Sequence, residues 1–354
     1  MSSSSLHVIV IGGGIGGLCL AQALKAADVS VAVYERNPSP TDWLQGYRIN
    51  INPTGSHALY ECLPPVLWEA FIATAGKPSA GFGFLTEQLK ELLVLDEALM
   101  SGKTNSPDQT HHPVSRIALR HILLADLDDI THFDKTFERY EQSPTGKVTA
   151  FFADGSSATG DVLVGADGAN SRIRKQLLPH AQRVETGAVS IGGKLLLNDE
   201  TRAWLPRSLT TRMNMIMPPD RYFMFNAVFD HVYSPEEGRR RIGEHAEAAG
   251  LRTELLFHNV ENYILWATAA HRDDFPADVD TFDGPALQQL TIKMIAGWHP
   301  DLHRVVVESD PASINFISLK TSVPVEPWET TNVTLLGDAL HNMTPLAGMG
   351  ANTA

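Results

Sequence analysis

The alternation of apolar runs with periodic, half-apolar stretches divides this chain into short buried strands and amphipathic helices. Residues 6–11 form a run rich in β-branched side chains, as expected of a strand buried on both faces, and residues 12–17 supply the turn after it. Leu20, Ala23, Leu24 and Ala27 recur at i, i+3, i+4 and i+7, which predicts a helix with one apolar face laid on a sheet. Residues 29–34 read as the next strand, so the chain opens with a βαβ unit ending at Glu35. Asn52-Pro53-Thr54-Gly55 leads into a helix with Ala58, Leu59 and Leu63 on one side, and Ser115 is placed to cap another carrying Ile117, Leu119, Ile122, Leu123 and Leu127.

From Thr136 the period changes to two. Residues 137–140, 147–152 and 157–164 are separated by turn residues and predict an antiparallel excursion. Beyond Pro179, strands are expected at 189–197, 211–217, 222–230 and 263–269, with helices at 235–249 and 284–298, while 333–336 returns to the first sheet. The fold class is α/β: a βαβ dinucleotide-binding domain followed by a domain on a mostly antiparallel sheet. The expected division is 1–83, 111–180 and 320–354 for the first domain, and 84–110 and 181–319 for the second.

Three motifs stand at strand-to-loop edges. In Gly12-x-Gly14-x-x-Gly17 the glycines permit a tight turn, close approach to a pyrophosphate and close helix packing, while Glu35 can accept hydrogen bonds from a ribose. This motif alone does not separate NAD from FAD. The second is Gly165-Ala166-Asp167-Gly168, followed by Ser171 and Arg174. The third runs from Gly337-Asp338-Ala339-Leu340-His341 through Pro345, Gly348 and Gly350 to Asn352. Three such edges in this order point to one flavin dinucleotide held along its length.

At the second and third motifs the chain resembles the single-component FAD-dependent aromatic monooxygenases of the para-hydroxybenzoate hydroxylase type, the group A flavoprotein monooxygenases. The resemblance implies a glutathione-reductase-type Rossmann-like domain with FAD bound by Gly12, Gly14, Gly17, Glu35 and the adjacent Arg36. It places Asp167 in the second motif's contact with the cofactor and Asp338 on the ribityl chain. Pro345, Gly348, Gly350 and Ala351 follow the flavin pyrimidine edge, where a helix N-terminus favours the negative charge of reduced flavin. Arg116 is expected near the diphosphate or ribityl, with Arg120 as its rival, and Gly46 and Arg48 where the chain passes the flavin, Arg48 attracting the nicotinamide cofactor.

The activity so implied is insertion of one oxygen atom from O2 into an aromatic or polyketide-like small molecule, through a flavin C4a-hydroperoxide and at the expense of NADPH or NADH. Arg212 and Tyr222 are the candidates to hold and polarise the substrate. A flavin-dependent halogenase or reductase, or a non-catalytic flavin-binding protein, are the alternatives. The resemblance also implies that a helix packing on the flavin domain continues past Ala354, so that the chain is truncated and holds FAD weakly.

Charge and composition narrow the partners. A formal net charge of -13 disfavours nucleic acid and anionic lipid, and a 43% hydrophobic content supports a large core. No basic stretch precedes the first apolar run and no run approaches a membrane span, so a cytoplasmic location is expected. Cys19 and Cys62 lack metal-ligand or CxxC spacing, and His111-His112 is expected in a solvated loop; no metal site is predicted.

Overall fold

A computed structural model describes residues 6–40, 48–100, 106–219, 221–243, 245–257, 261–345 and 348–354. In chain order its strands are β1 (His7–Ile11), β2 (Ser30–Tyr34), β3 (Arg48–Ile51), β4 (Gly81–Leu85), β5 (Glu91–Asp96), β6 (His112–Ser115), β7 (Thr131–His132), β8 (Phe137–Gln142) and β9 (Val148–Phe152). They continue as β10 (Ser157–Gly160), β11 (Val162–Gly165), β12 (Arg183–Leu196), β13 (Met213–Ile216), β14 (Phe223–Phe229), β15 (Tyr263–His271), β16 (Asn315–Ser322) and β17 (Val333–Leu335).

A parallel sheet in the order β17-β11-β1-β2-β7 carries all three motifs at the C-terminal ends of its strands. Side chains on β1 alternate between two cores, because successive residues of a strand point to opposite faces. Val8 and Val10 meet the helices on one side, and Ile9 and Ile11 meet the antiparallel β10-β9-β8 sheet on the other. The stretch expected as one strand over 157–164 is divided at Asp161, whose carboxylate accepts the His7 N–H at 2.9 Å and the Lys147 ammonium at 2.6 Å. β10 therefore closes the antiparallel sheet while β11 enters the parallel one.

The first helix, α1 (Ile15–Ala26), buries Leu18, Ala21 and Gln22 rather than the line through Ala23 and Ala27. The difference has a polar cause. Gln22, only 3% exposed, donates its amide to the carbonyls of Leu123 and Ala125 at 2.9 and 2.8 Å, satisfying the open end of the helix Arg116–Leu124. The second helix, α2 (Pro53–Cys62), begins at the expected turn with Asn52 as its cap, and buries Leu59 with Leu63 just beyond its end; Ala58 faces solvent. Ser115 caps its helix as expected, accepting from the Ala118 N–H.

The larger sheet runs β16-β12-β15-β14-β13-β4-β5 and is antiparallel except between β13 and β4. The boundaries drawn at 83 and 319 fall inside β4 and β16, since both strands pair here. Residues between β14 and β15 also depart from the linear division. Ile242, Ala246, Leu251, Leu256 and Phe257 pack into the first domain's core, so this helical arm crosses from one sheet to the other.

His121 lies under that arm. Burial, with the like charges of Arg120 and Arg252, lowers its pKa to about 4 against the opposing pull of Glu254. In the unfolded chain it takes a proton near pH 6.5, so folding stability falls as pH drops from about 6.5 to about 4. Thermal unfolding of the native chain and of His121→Gln across that window should diverge, the native chain losing up to roughly 3 kcal/mol more. Parallel pH profiles for the two proteins would show that the ring stays solvated.

Candidate functional site

Each glycine of the first motif meets a different steric demand. Gly12 has φ +115° and a Cβ there would lie 2.2 Å from the Ala166 carbonyl oxygen, so the first and second motifs touch backbone to backbone. A Cβ on Gly17 would lie 2.1 Å from the Gly12 oxygen, which lets α1 close onto the strand. Gly14 is the N-cap of α1, makes no side-chain cap, and has nothing within 4 Å of its Cβ position, leaving the helix N-terminus bare toward the adjoining cleft.

Glu35 fixes the loop from the other side. Its Oε2 accepts the Gly13 N–H at 2.6 Å and its Oε1 the Asn37 N–H at 2.9 Å. Arg120 donates to the Gly13 carbonyl at 3.0 Å and to that of Pro40 at 2.5 Å; burial lowers its pKa and Glu35 raises it. Arg120 therefore braces the loop as well as facing the cleft.

The cleft has a volume of about 430 Å³ and brings Gly12, Gly14, Glu35, Arg36, Arg116 and Asp167 together along one wall. Lys135, Arg172 and Lys175 complete its cationic rim. Sequence reading overlooked these three; the signal for Arg172 was its place between Ser171 and Arg174. Asp167 accepts the Arg172 N–H at 2.7 Å through Oδ2, while its buried Oδ1 has no hydrogen-bond partner. An acceptor left dry at a cleft wall is what a ligand hydroxyl or a water it carries would satisfy.

The second and third motifs are joined by Arg174, which donates to the carbonyls of Ala169 and Ala339, both at 2.8 Å. Burial lowers the pKa of Arg116 and Asp338 raises it, so the third motif's carboxylate, which does not itself line the cleft, acts on a guanidinium that does. A Cβ on Gly350 would lie 3.8 Å from the Asp338 Oδ1. Asn352, buried, accepts the Asn52 N–H at 2.8 Å and donates to the carbonyls of Asn50 and Gly348 at 2.9 and 2.6 Å. It clamps the run of Gly348, Gly350 and Ala351 against β3 and α2, while Pro345 stands exposed. Gly46 lies outside the described residues.

Arg48 does not reach into solvent. Its N–H donates to the Tyr263 hydroxyl at 2.8 Å and its guanidinium to the Val228 carbonyl, with the Met213 sulfur at 3.5 Å. Burial lowers its pKa to about 10. It pins β3 to the larger sheet.

That sheet presents two unlike faces. Leu85, Ile216, Met224, Thr268 and Ile191 form a row of paired residues, all fully buried beneath the outer helices. The next row on the other face is Phe84, Met215, Phe225, Ala267 and Gly192, of which all but Gly192 are partly exposed. Met213, the Arg48 contact, shares this second face with Met215, so it is the face turned toward the first domain. Arg212 and Tyr222 do not lie on it. Arg212 pairs with Glu91 and donates to Asn214, a residue of the buried face, and Tyr222 packs on the outer core cluster. Both side chains expected to polarise a substrate therefore lie on the side of the sheet away from Arg48; Arg212 stands just before β13 and follows the outward parity of Asn214.

His111 and His112 also differ from expectation. His112 is buried on β6 beside Phe71 and Trp68, with Nε2 2.6 Å from the Pro107 carbonyl, and His111 bonds Asn50 at 2.9 Å. No group of residues suited to a metal ion occurs among the described residues.

The FAD binding domain family matches residues 5–284. The chain belongs to the FAD-binding monooxygenase family. This family comprises oxidoreductases. A dual O-methyltransferase/FAD-dependent monooxygenase, CTB3 of Cercospora beticola, is 30% identical over 366 residues; the match covers 100% of this chain and 41% of that protein. The chain thus spans about two fifths of that relative's length. The FAD-dependent urate hydroxylase of Klebsiella pneumoniae is 28% identical over 354 residues, with 99% and 78% covered. A crystal structure from Photorhabdus luminescens, provisionally an FAD-containing monooxygenase, superposes with a TM-score of 0.84 at 35% identity, covering 99% of this chain and 85% of that one.

The FAD-binding monooxygenase fold and the donor set agree: a bare helix N-terminus, a dry Asp167 oxygen and a cationic rim suit an adenine dinucleotide. Gly12→Ala should abolish folding or flavin retention, because its Cβ would overlap Ala166. Gly14→Ala should fold with unchanged thermal stability yet bind FAD about tenfold more weakly, read by quenching of flavin fluorescence. Equal FAD affinity in Gly14→Ala and the native chain would remove the diphosphate from this loop.

Proposed function

We propose that the chain is an NAD(P)H-dependent FAD monooxygenase that inserts one oxygen atom of O2 into a planar aromatic or polyketide-like small molecule. The observation that carries this reading is the pairing of a dinucleotide cleft with a partly exposed Phe84–Met215–Phe225 platform on the sheet that Arg48 pins to it. Bound FAD, reduced by NADPH or NADH, supplies the electrons that activate O2.

The chain's own residues bind, orient and exclude water. Gly12, Gly14 and the N-terminus of α1 hold the diphosphate, Glu35 the adenosine ribose, and Arg116 with Asp338 the ribityl segment. Backbone N–H groups beyond Gly348, whose own N–H is taken by the Pro345 carbonyl at 3.0 Å, would meet the flavin edge at Gly350 and Ala351. The division of labour follows the sheets: the parallel one carries the cofactor and the seven-stranded one the substrate. The platform's aromatic and thioether groups stack on a flat substrate and keep the site dry. Lys194 lies on the same face, 4.8 Å from the centre of the Tyr263 ring, and offers a cation to an ionised phenol or enol in the place first assigned to Arg212.

Purified chain reconstituted with FAD should consume NADPH or NADH and O2 when given phenols, naphthols or larger fused rings, and yield products heavier by one oxygen atom. Phe225→Ala should bind FAD as before but weaken substrate binding about tenfold and lower the ratio of product to nicotinamide consumed. Oxidation of the nicotinamide with no oxygenated product from any of these compounds would overturn the reading.

A further inference from the structure

The chain contains two cysteines, and folding brings them together although nothing in their spacing foretells it. Cys19 lies in the second turn of α1 and Cys62 is the last residue of α2. The two helices pack against one another, and the two half-buried thiols hydrogen-bond across that contact. α1 begins at the cofactor cleft and α2 meets the third motif. α1 opens at Gly14, and α2 is capped by Asn52, whose N–H the third motif's Asn352 accepts.

We propose that Cys19 and Cys62 are an oxidation site at which hydrogen peroxide forms a disulfide joining α1 to α2. The Cys62 thiolate attacks one peroxide oxygen, the O–O bond breaks, and the hydroxide released takes a proton to become water. The resulting Cys62 sulfenic acid is attacked by the Cys19 sulfur; the S–O bond breaks, the Cys19 proton leaves with the hydroxyl as a second water, and the S–S bond is made. Two thiols lose two electrons and one peroxide gains them.

The local chemistry assigns the order of events. The hydrogen bond from Cys19 lowers the Cys62 thiol to about 7 against the opposing effects of burial and Glu61. The same hydrogen bond, followed by burial, raises Cys19. A half-buried sulfur of lowered pKa beside a second thiol is the arrangement of a nucleophile with its resolving partner. The crosslink closes a loop of about forty residues in the unfolded chain, which favours the folded state. It also fixes the helix bearing the diphosphate glycines to the helix that receives the third motif.

The test uses the full chain without nicotinamide, so that it stands apart from oxygenase activity. Treatment with a small excess of hydrogen peroxide, quenching with N-ethylmaleimide and peptide mapping should give one crosslinked peptide pair lacking two hydrogens. Free thiols should fall from two to none, thermal unfolding should shift upward by several degrees, and dithiothreitol should reverse both. Cys19→Ser should leave Cys62 as a sulfenic acid trapped by dimedone, while Cys62→Ser should leave Cys19 unreacted. Recovery of both thiols as maleimide adducts, a Cys62 sulfinic acid with Cys19 free in the native chain, or disulfides only between two copies would each overturn the proposal. Mapping of the native chain decides the matter should either variant fail to fold.

Discussion

Backbone contact between the ends of parallel strands is the constraint on which the rest depends. The Ala166 N–H donates to the Ile11 carbonyl at 2.8 Å and the Leu336 N–H to Gly165 at 2.9 Å, which aligns three chain segments at one sheet edge. The alignment leaves no room for a side chain at Gly12. A 2.2 Å approach between a hypothetical Cβ and the Ala166 oxygen cannot be relaxed by rotating a side chain, since both partners are main chain. Once that contact forms, Glu35 at the end of β2, Asp167 after β11 and Asp338 after β17 have few places to go.

Around that edge, polar side chains act as braces on loops that have little packing of their own. Arg120, Arg174 and Asn352 each bond main-chain groups distant in sequence, and each is nearly buried. A buried guanidinium or amide stabilises only when its donors are matched, so these residues hold each loop in one geometry. The arrangement also resolves a difficulty of charge. A protein with net charge -13 repels a dinucleotide at long range, yet Arg36, Arg116, Arg120, Lys135, Arg172 and Lys175 concentrate positive potential along one cleft.

Legibility in the sequence followed periodicity and backbone demand. β1, β2, the Ser115 cap and the return of β17 to the first sheet could be read because strands buried on both faces are short apolar runs and caps follow local chemistry. The motif glycines could be read because their requirement is steric. What escaped was set by tertiary partners. The buried face of α1 turns on Gln22 finding two carbonyls at a helix end, and β4 belongs to the larger sheet because it pairs with β13, far along the chain. The helices between β14 and β15 have an apolar stripe whose partner, the first core, no local pattern names.

Which face of a strand does chemistry is likewise a tertiary fact. Arg212 and Met213 are neighbours in sequence, and the pleat sends one toward Asn214 and Glu91 and the other toward Arg48. The choice is fixed by docking rather than by strand propensity. Arg48 spends its hydrogen-bonding capacity on Val228 and its N–H on Tyr263, and the helical arm carries Ile242 and Phe257 back to the first core. Two separate tethers, one polar and one apolar, thus hold the platform row against the cofactor sheet. A single tether would leave a rotational freedom about itself, whereas two at different positions define the angle between the two sheets.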